Sequence, residues 1–306
     1  MSKGWSDLED VKQSDYTEYK NLLLVDGNNI AYRYIRRANY NNYAEDFRRT
    51  IQSLGKSYKA SRIIVCFDFG KSYYRGSLLE DYKGTRVKPD DEKASLEEKL
   101  VGASHEEADA IHEKLNKIEE EVAHFEGFFN VLNSLPDELD EEVLKFRGVE
   151  ADDLIAWLRF NLHDEHEHTW IVSSDKDLLQ LIDEDVSVFN LFSRKEIDLA
   201  AIEELGLTPE EYRLSRIIEG DKSDNIIGIA GIGPKRAQDL AKSYKTFDNL
   251  IAALPITGKA QFIQNLNAGK QKLIDNEKLI NLRDYHEIAI SAGKSDIDIL
   301  DYLAHI

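Results

Sequence analysis

Short apolar runs alternate with amphipathic helical stretches, and that alternation constrains the fold of this chain more than any other feature. The runs Asn21–Val25, Arg62–Phe67, Thr169–Val172 and Val186–Phe189 have strand length, and Asp46–Tyr58 and Ala151–Leu162 repeat apolar residues at helical spacing. Strands and helices in this rhythm predict an α/β fold with a mostly parallel sheet flanked by helices. In such a sheet the strand-to-helix loops gather at the carboxyl ends of the strands, where functional groups collect.

Acids fall at those ends. Asp26 follows Leu22-Leu23-Leu24-Val25 directly, Asp68 follows Ile63-Ile64-Val65-Cys66-Phe67, and Asp175 and Asp177 come just after Trp170-Ile171-Val172. Glu150, Asp152 and Asp153 open the helical stretch at Ala151, a position where the helix dipole favours negative charge. Asp221 and Asp224 stand in Gly220-Asp221-Lys222-Ser223-Asp224-Asn225. Taken singly, each group also reads as a helix cap or a turn, because Asp is a preferred N-cap. Together, nine carboxylates in one crevice would repel one another and require raised pKa values or an opposing charge. Hard divalent cations, Mg²⁺ or Mn²⁺, suit such oxygen donors. Two of them about 4 Å apart stabilise the attacking and leaving oxygens of an in-line phosphoryl displacement, and that points to nuclease chemistry.

Composition bounds this reading without overturning it. The formal charge of −19 argues against tight binding to a phosphate backbone, which needs Lys and Arg; a sum, however, hides local patches and does not separate acids that repel DNA from acids that hold cations. Cys66 is the single cysteine, so disulfides and Cys-type zinc sites within the chain are excluded and a reducing cytoplasmic setting fits. No apolar run reaches the roughly 18 residues of a membrane span. Residues 1–20 read as a polar lead-in rather than a secretion signal, 21–200 as the core, 82–128 within it as a charged helical excursion, and 201–306 as a helical region.

Seven blocks in order resemble the flap endonuclease/5′-exonuclease family: Val25-Asp26-Gly27-Asn28-Asn29, Phe67-Asp68, Tyr82-Lys83-Gly84-Thr85-Arg86, Gly148-Val149-Glu150-Ala151-Asp152-Asp153, Ser173-Ser174-Asp175-Lys176-Asp177, Gly220–Asn225, and Gly231-Ile232-Gly233-Pro234-Lys235-Arg236-Ala237. The resemblance implies a PIN-like core, a helical arch over the site and a helix–hairpin–helix element. It implies a first metal site of Asp26, Asp68, Glu150, Asp152 and Asp153 and a second of Asp175, Asp177, Asp221 and Asp224, some acting through water. By the same resemblance Lys83 meets the scissile phosphate, Arg86 assists or steers it, and K⁺ binds carbonyls of the hairpin loop. The expected activity is flap endonuclease and 5′→3′ exonuclease cleavage to 5′-phosphate and 3′-hydroxyl ends. The expected substrates are flaps and nicked, gapped or RNA-primed duplex, cut by a monomer in the host cytoplasm during viral replication.

Further DNA contacts are expected at Arg33, Lys71 and Arg75 near the first strands, and at Tyr82, which either stacks on an unpaired base or packs. In the hairpin, Gly231 and Gly233 permit close approach of backbone to phosphate, amides at the following helix start can hold an anion, and Lys235 and Arg236 add charge. Lys259 matches a further phosphate-contacting region. The excursion departs from the family pattern: between Lys88 and Glu121, 12 acids face five bases, whereas an arch enclosing a single strand needs a cationic inner face. Two rival readings stand beside the nuclease, a PIN-type ribonuclease and a non-catalytic branched-DNA binder.

Overall fold

The structure, a computed structural model, describes residues 19–32, 43–84, 89–162 and 165–306. Six strands form the central sheet: β1 (Asn21–Asp26), β2 (Ala60–Cys66), β3 (Glu142–Leu144), β4 (Thr169–Val172), β5 (Val186–Asn190) and β6 (Lys195–Ile197). Their order is β3-β2-β1-β4-β5-β6. All neighbours are parallel except β5 and β6, so β1 to β5 direct their carboxyl ends to one rim.

The inner stretches of the central strands, Leu22–Val25, Ile63–Cys66 and Trp170–Val172, are continuously apolar because both faces are covered. Successive side chains alternate between faces. Leu22, Leu24, Ile64, Cys66 and Ile171 pack with Leu154, Ile155 and Leu158 of the helix Ala151–Leu162. Leu23, Val25, Val65, Phe67 and Val172 pack on the other side with Phe47 and Ile51 of the helix Tyr43–Ser57. A third core holds the helical region together, with Leu214, Ile217 and Ile218 against Ile229, Ile232, Ala237 and Leu266. The charged excursion is a pair of helices, Pro89–Leu100 and His105–Ser134, joined by Leu96, Leu115 and Ile118. The longer one roots in the second core through Phe128 and Leu132. Lys93 pairs with Glu119 across the two helices at 2.9 Å, so one of the few arch cations is spent internally.

Glu277, in the helix Lys270–Ile280, is 6% exposed. One of its oxygens accepts from Asn281 Nδ2 at 2.7 Å; the other has no partner among the described residues. Burial pushes its carboxyl up to about 7, with Arg213 opposing the rise. A folded pKa above the unfolded value means that stability is full below about pH 4, falls as pH rises, and levels off above about pH 7. Glu277→Gln is therefore expected to stabilise the protein at pH 8, by on the order of 1–3 kcal/mol, and to change little at pH 4. Urea titrations at the two pH values check this; equal effects at both would show that the Glu277 charge is not the cause.

Candidate active site

The acid-bearing loops are stitched to one another before any ion is considered. Asp26, 7% exposed at the end of β1, accepts from the Asn29 amide at 3.0 Å and from Ser173 Oγ at 2.8 Å. The Asn28 side-chain carbonyl accepts from the Asp68 amide at 2.9 Å, and Asp68 Oδ1 accepts from the amide of Ala151 at 2.7 Å. That second bond satisfies one of the orphan donors at the helix start and fixes the β2 acid beside the acids of that helix. Asn29 bridges to the β4 loop, accepting from the Ser174 amide at 3.0 Å. Asn28 and Asn29 therefore position the site. Sequence reasoning quoted both without assigning them a role; their place directly after Asp26 was the available signal.

The carboxylates sort by how their charge is met. Glu150 and Asp153 are met by Arg75: Nη1 reaches Glu150 at 2.9 Å, and the guanidinium grips Asp153 through both oxygens at 2.6 and 2.9 Å. Lys83 also bonds Glu150. Burial would raise the Glu150 carboxyl, but Arg75 and Lys83 together hold it below the usual range. Asp177 and Asp221 are met by Arg216, with Nε 3.0 Å from Asp177 Oδ1 and Nη2 bonded to Asp221. Arg216 projects from the helix Pro209–Glu219. Sequence reasoning missed it, since one cation on an amphipathic helix carries no signal of its own.

Asp26, Asp152 and Asp175 have no such partner and titrate high; Asp153 and Asp177 are raised as well, because burial outweighs the guanidinium beside each. Burial, then Asp68 and Asp175, push Asp26 up to about 7. Burial, then Asp175, Asp26 and Asp68, raise Asp152 well above the usual value. Burial raises Asp175 too, with Asp224 and Asp221 adding to it. This mutual repulsion reports that acids from the ends of β1, β2 and β4, the helix start at Ala151 and the turn that follows the helix Pro209–Glu219 converge on one rim. Among the described residues no three acids, histidines or cysteines close into a ligating group. The donor set nonetheless fits hard divalent cations: oxygen donors only, crowded, and with unmet negative charge.

Lys83 stands among these groups. Its backbone is left-handed, φ 56°, a conformation uncommon for non-glycine residues, and its amide bonds the Asp224 carbonyl at 3.0 Å. The ammonium contacts Glu150 and lies 4.0 Å from Asp224 Oδ2. Burial opposes its charge, but Glu150 and then Asp224 raise its pKa, so it stays protonated. Beside Asp175 and Arg216 a cleft of about 390 Å³, lined also by Asn190, Ile197, Pro234 and Gln238, runs from the rim to the hairpin helix on the β5–β6 side of the sheet.

Three expectations are corrected. Arg75 is 5% exposed and consumed by Glu150, Asp153 and the Leu279 carbonyl, so it neutralises the site from within and does not reach DNA. Tyr82 is 4% exposed; its hydroxyl donates to Glu150 or Asp224, 3.2 and 3.0 Å away. It packs and offers no face to a base. Asp153, 1% exposed, spends both oxygens on Arg75 and anchors that cation rather than a metal ion. Arg33 and Arg86 lie outside the described residues. Lys71, Lys235 and Lys259 are exposed, as DNA contacts require.

The hairpin has the expected turn, Gly231 at φ 78° followed by the helix Pro234–Tyr244. Arg236 donates to the Gly231 carbonyl at 2.7 Å and stacks over Phe262 at 4.9 Å; Asn265 donates to the Ala230 carbonyl at 2.8 Å. A K⁺ ion at this loop would share the Gly231 carbonyl with the Arg236 guanidinium.

Comparison with known proteins decides the family. Residues 21–206 match the model of the 5′–3′ exonuclease N-terminal resolvase-like domain, and residues 207–301 the C-terminal SAM fold of the same enzymes. The chain belongs to the 5′–3′ exonuclease family. It is 33% identical over 301 residues to the flap endonuclease of Escherichia phage T5, covering 97% of this chain and 95% of that protein. The 5′–3′ exonuclease of Buchnera aphidicola is 29% identical over 245 residues, 77% of this chain and 74% of its own. A crystal structure of the T5 D15 protein with metal ions superposes with a TM-score of 0.77 at 32% identity, covering 94% of this chain and 97% of that one. A D15 complex with DNA and metal ions gives 0.73 at 31% identity over the same shares. This 5′–3′ exonuclease is thus a nuclease with a mostly parallel sheet and a helical C-terminal region, and no described helix is long and apolar enough to cross a membrane.

Proposed function

We propose that this nuclease hydrolyses phosphodiesters of branched or 5′-ended DNA with two divalent cations, Mg²⁺ or Mn²⁺, leaving 5′-phosphate and 3′-hydroxyl ends. The observation that supports it best is the unmet, mutually repelling charge of Asp26, Asp152 and Asp175 beside Asp68. Those four would hold one ion; Asp177, Asp221 and Asp224, next to Asp175, would contribute to the second once Arg216 yields. The ions supply an activated water and charge stabilisation at the leaving oxygen.

The chain's own groups do the rest. Lys83, held charged against Glu150 and Asp224, stabilises the negative charge that grows on the phosphate, the work of a preorganised cation. Arg75 keeps Glu150 ionised and fixed. Lys235 and the amides opening the hairpin helix hold duplex backbone without reading bases, with Lys259 as a further contact. Nicked, gapped, flapped or RNA-primed duplex are the substrates, cut by a monomer in the host cytoplasm.

The test is cleavage of end-labelled 5′-flap DNA against single-stranded RNA, each with Mg²⁺ or EDTA. Mg²⁺-dependent cutting of the flap with 5′-phosphate products supports the proposal. Preference for the RNA would favour the PIN-type ribonuclease, and DNA binding without cutting in Mg²⁺ the non-catalytic binder. Within this reading, Asp177→Asn or Asp224→Asn removes a charge needed for the reaction but not for duplex docking. Turnover is expected to fall far more than DNA affinity; equal losses in kcat and Kd would refute that division.

A further inference from the structure

Two arginines meet the acids of the rim, and they are built differently. The Arg75 side chain is 6% exposed and that of Asp153, which it grips, 1%, so that pair is sealed from solvent. The Arg216 side chain is 14% exposed, and those of Asp177 and Asp221 are 15% and 16%, so water and a small ion reach the contact. One edge of the Arg216 guanidinium bridges two separate segments, with Nε 3.0 Å from Asp177 Oδ1 and Nη2 bonded to Asp221 Oδ2. A planar fork of this kind fixes the spacing of the two carboxylates. Each acid is also held from its own side. The Asp177 amide donates to Asp175 Oδ1 at 2.8 Å, and the Ser223 amide to Asp221 Oδ1 at 2.7 Å.

A divalent ion between these acids would need the oxygens that the guanidinium now occupies, and two positive charges at contact distance repel strongly. The guanidinium therefore has to leave as the ion arrives, and the fold gives it somewhere to go. Arg216 forms part of the wall of the cleft of about 390 Å³, together with Asn190 and Glu219. Glu219 lies three residues further along the same helix, within reach of Arg216 on a shared face, so a guanidinium turned away from the acids finds an acceptor there. Arg75 has no such outlet, because its Nε also donates to the buried Leu279 carbonyl. The acids of the other ion, Asp26, Asp68 and Asp152, do not bond Arg216, whose partners are Asp177 and Asp221.

We infer that Arg216 is the resident counter-ion of the second metal site: it holds Asp177 and Asp221 apart and neutralised in the metal-free protein, and it sets the affinity of the second cation by competing with it for those two carboxylates. The inference rests on the two-cation reading and adds the residue that tunes one ion without touching the other. A pair with a merely structural role would weaken ion binding when removed, whereas a competitor strengthens it.

The test is calorimetric titration of the full chain with Mn²⁺ in the absence of DNA, for the parent and Arg216→Gln. The variant is expected to bind the second ion about tenfold more tightly, the factor for one charge-assisted hydrogen bond that no longer has to be broken. Affinity for the first ion should not change. Thermal unfolding supplies the complement. In EDTA the variant melts below the parent, because Asp177 and Asp221 then face each other without a counter-ion, and saturating Mn²⁺ removes the difference. Arg216→Lys keeps the charge but not the fork; its second-ion affinity should fall between the other two, and it carries the comparison if the glutamine variant does not fold. Unchanged or weaker second-ion affinity would overturn the inference, as would a melting deficit that Mn²⁺ does not repair. A parent that takes up fewer than two ions would overturn the two-cation reading itself, and the inference with it.

Discussion

Lys83→Ala lowers single-turnover cleavage of a 5′ flap by at least about 100-fold, the usual scale for one donor to transition-state charge, while flap affinity changes little. The expectation follows from where the ammonium is held. Its left-handed backbone and the bond from its amide to Asp224 fix the residue, and Glu150 keeps it charged despite burial. A cation so prepared costs no reorganisation when charge develops on the phosphate. Rapid-quench kinetics with enzyme in excess separates the chemical step from product release. A near-parental rate would remove Lys83 from the mechanism.

Arg75→Ala is the substitution with the largest expected cost in stability. It leaves Glu150 and Asp153, 5% and 1% exposed, without their shared guanidinium, and breaking a buried pair in this way costs about 3–5 kcal/mol. Protonation of the stranded carboxyls would relieve part of that. Their folded pKa values would then lie above the unfolded ones, so the variant's deficit grows as pH rises through the neutral range and shrinks below about pH 4. Adding Glu150→Gln and Asp153→Asn removes the stranded charges and should recover much of the loss. Guanidinium denaturation at pH 5 and pH 8 checks the sign. A deficit independent of pH would mean that packing of the long Arg75 side chain, not its charge, is what matters.

The sequence was most informative where a residue's task is set by its immediate neighbours. Leu22–Val25 and Ile63–Phe67 read as strands because both faces of a covered parallel sheet require apolar side chains, and the acids that end them follow at once. β3 and β6 were missed because Glu142–Leu144 and Lys195–Ile197 are three residues each and carry charges; their pairing depends on neighbours distant in the chain. The site divides along the same line. That acids gather was legible from their positions, but which of them are already neutralised was not. That depends on Arg75 and Arg216, which reach the acids only through the tertiary fold. Tyr82 failed as a stacking residue for the same reason: its burial against Ile217 and Ile226 in the helical region leaves no mark in the local sequence.

The claim beneath all of this is that carboxylates from distant parts of the chain share one rim and are completed by paired cations. The most direct measurement is anomalous diffraction from crystals grown with Mn²⁺. The account expects two peaks about 4 Å apart, one among Asp26, Asp68, Asp152 and Asp175 and the other toward Asp177, Asp221 and Asp224. No peak at that rim, or ions bound only on other surfaces of the molecule, would contradict it.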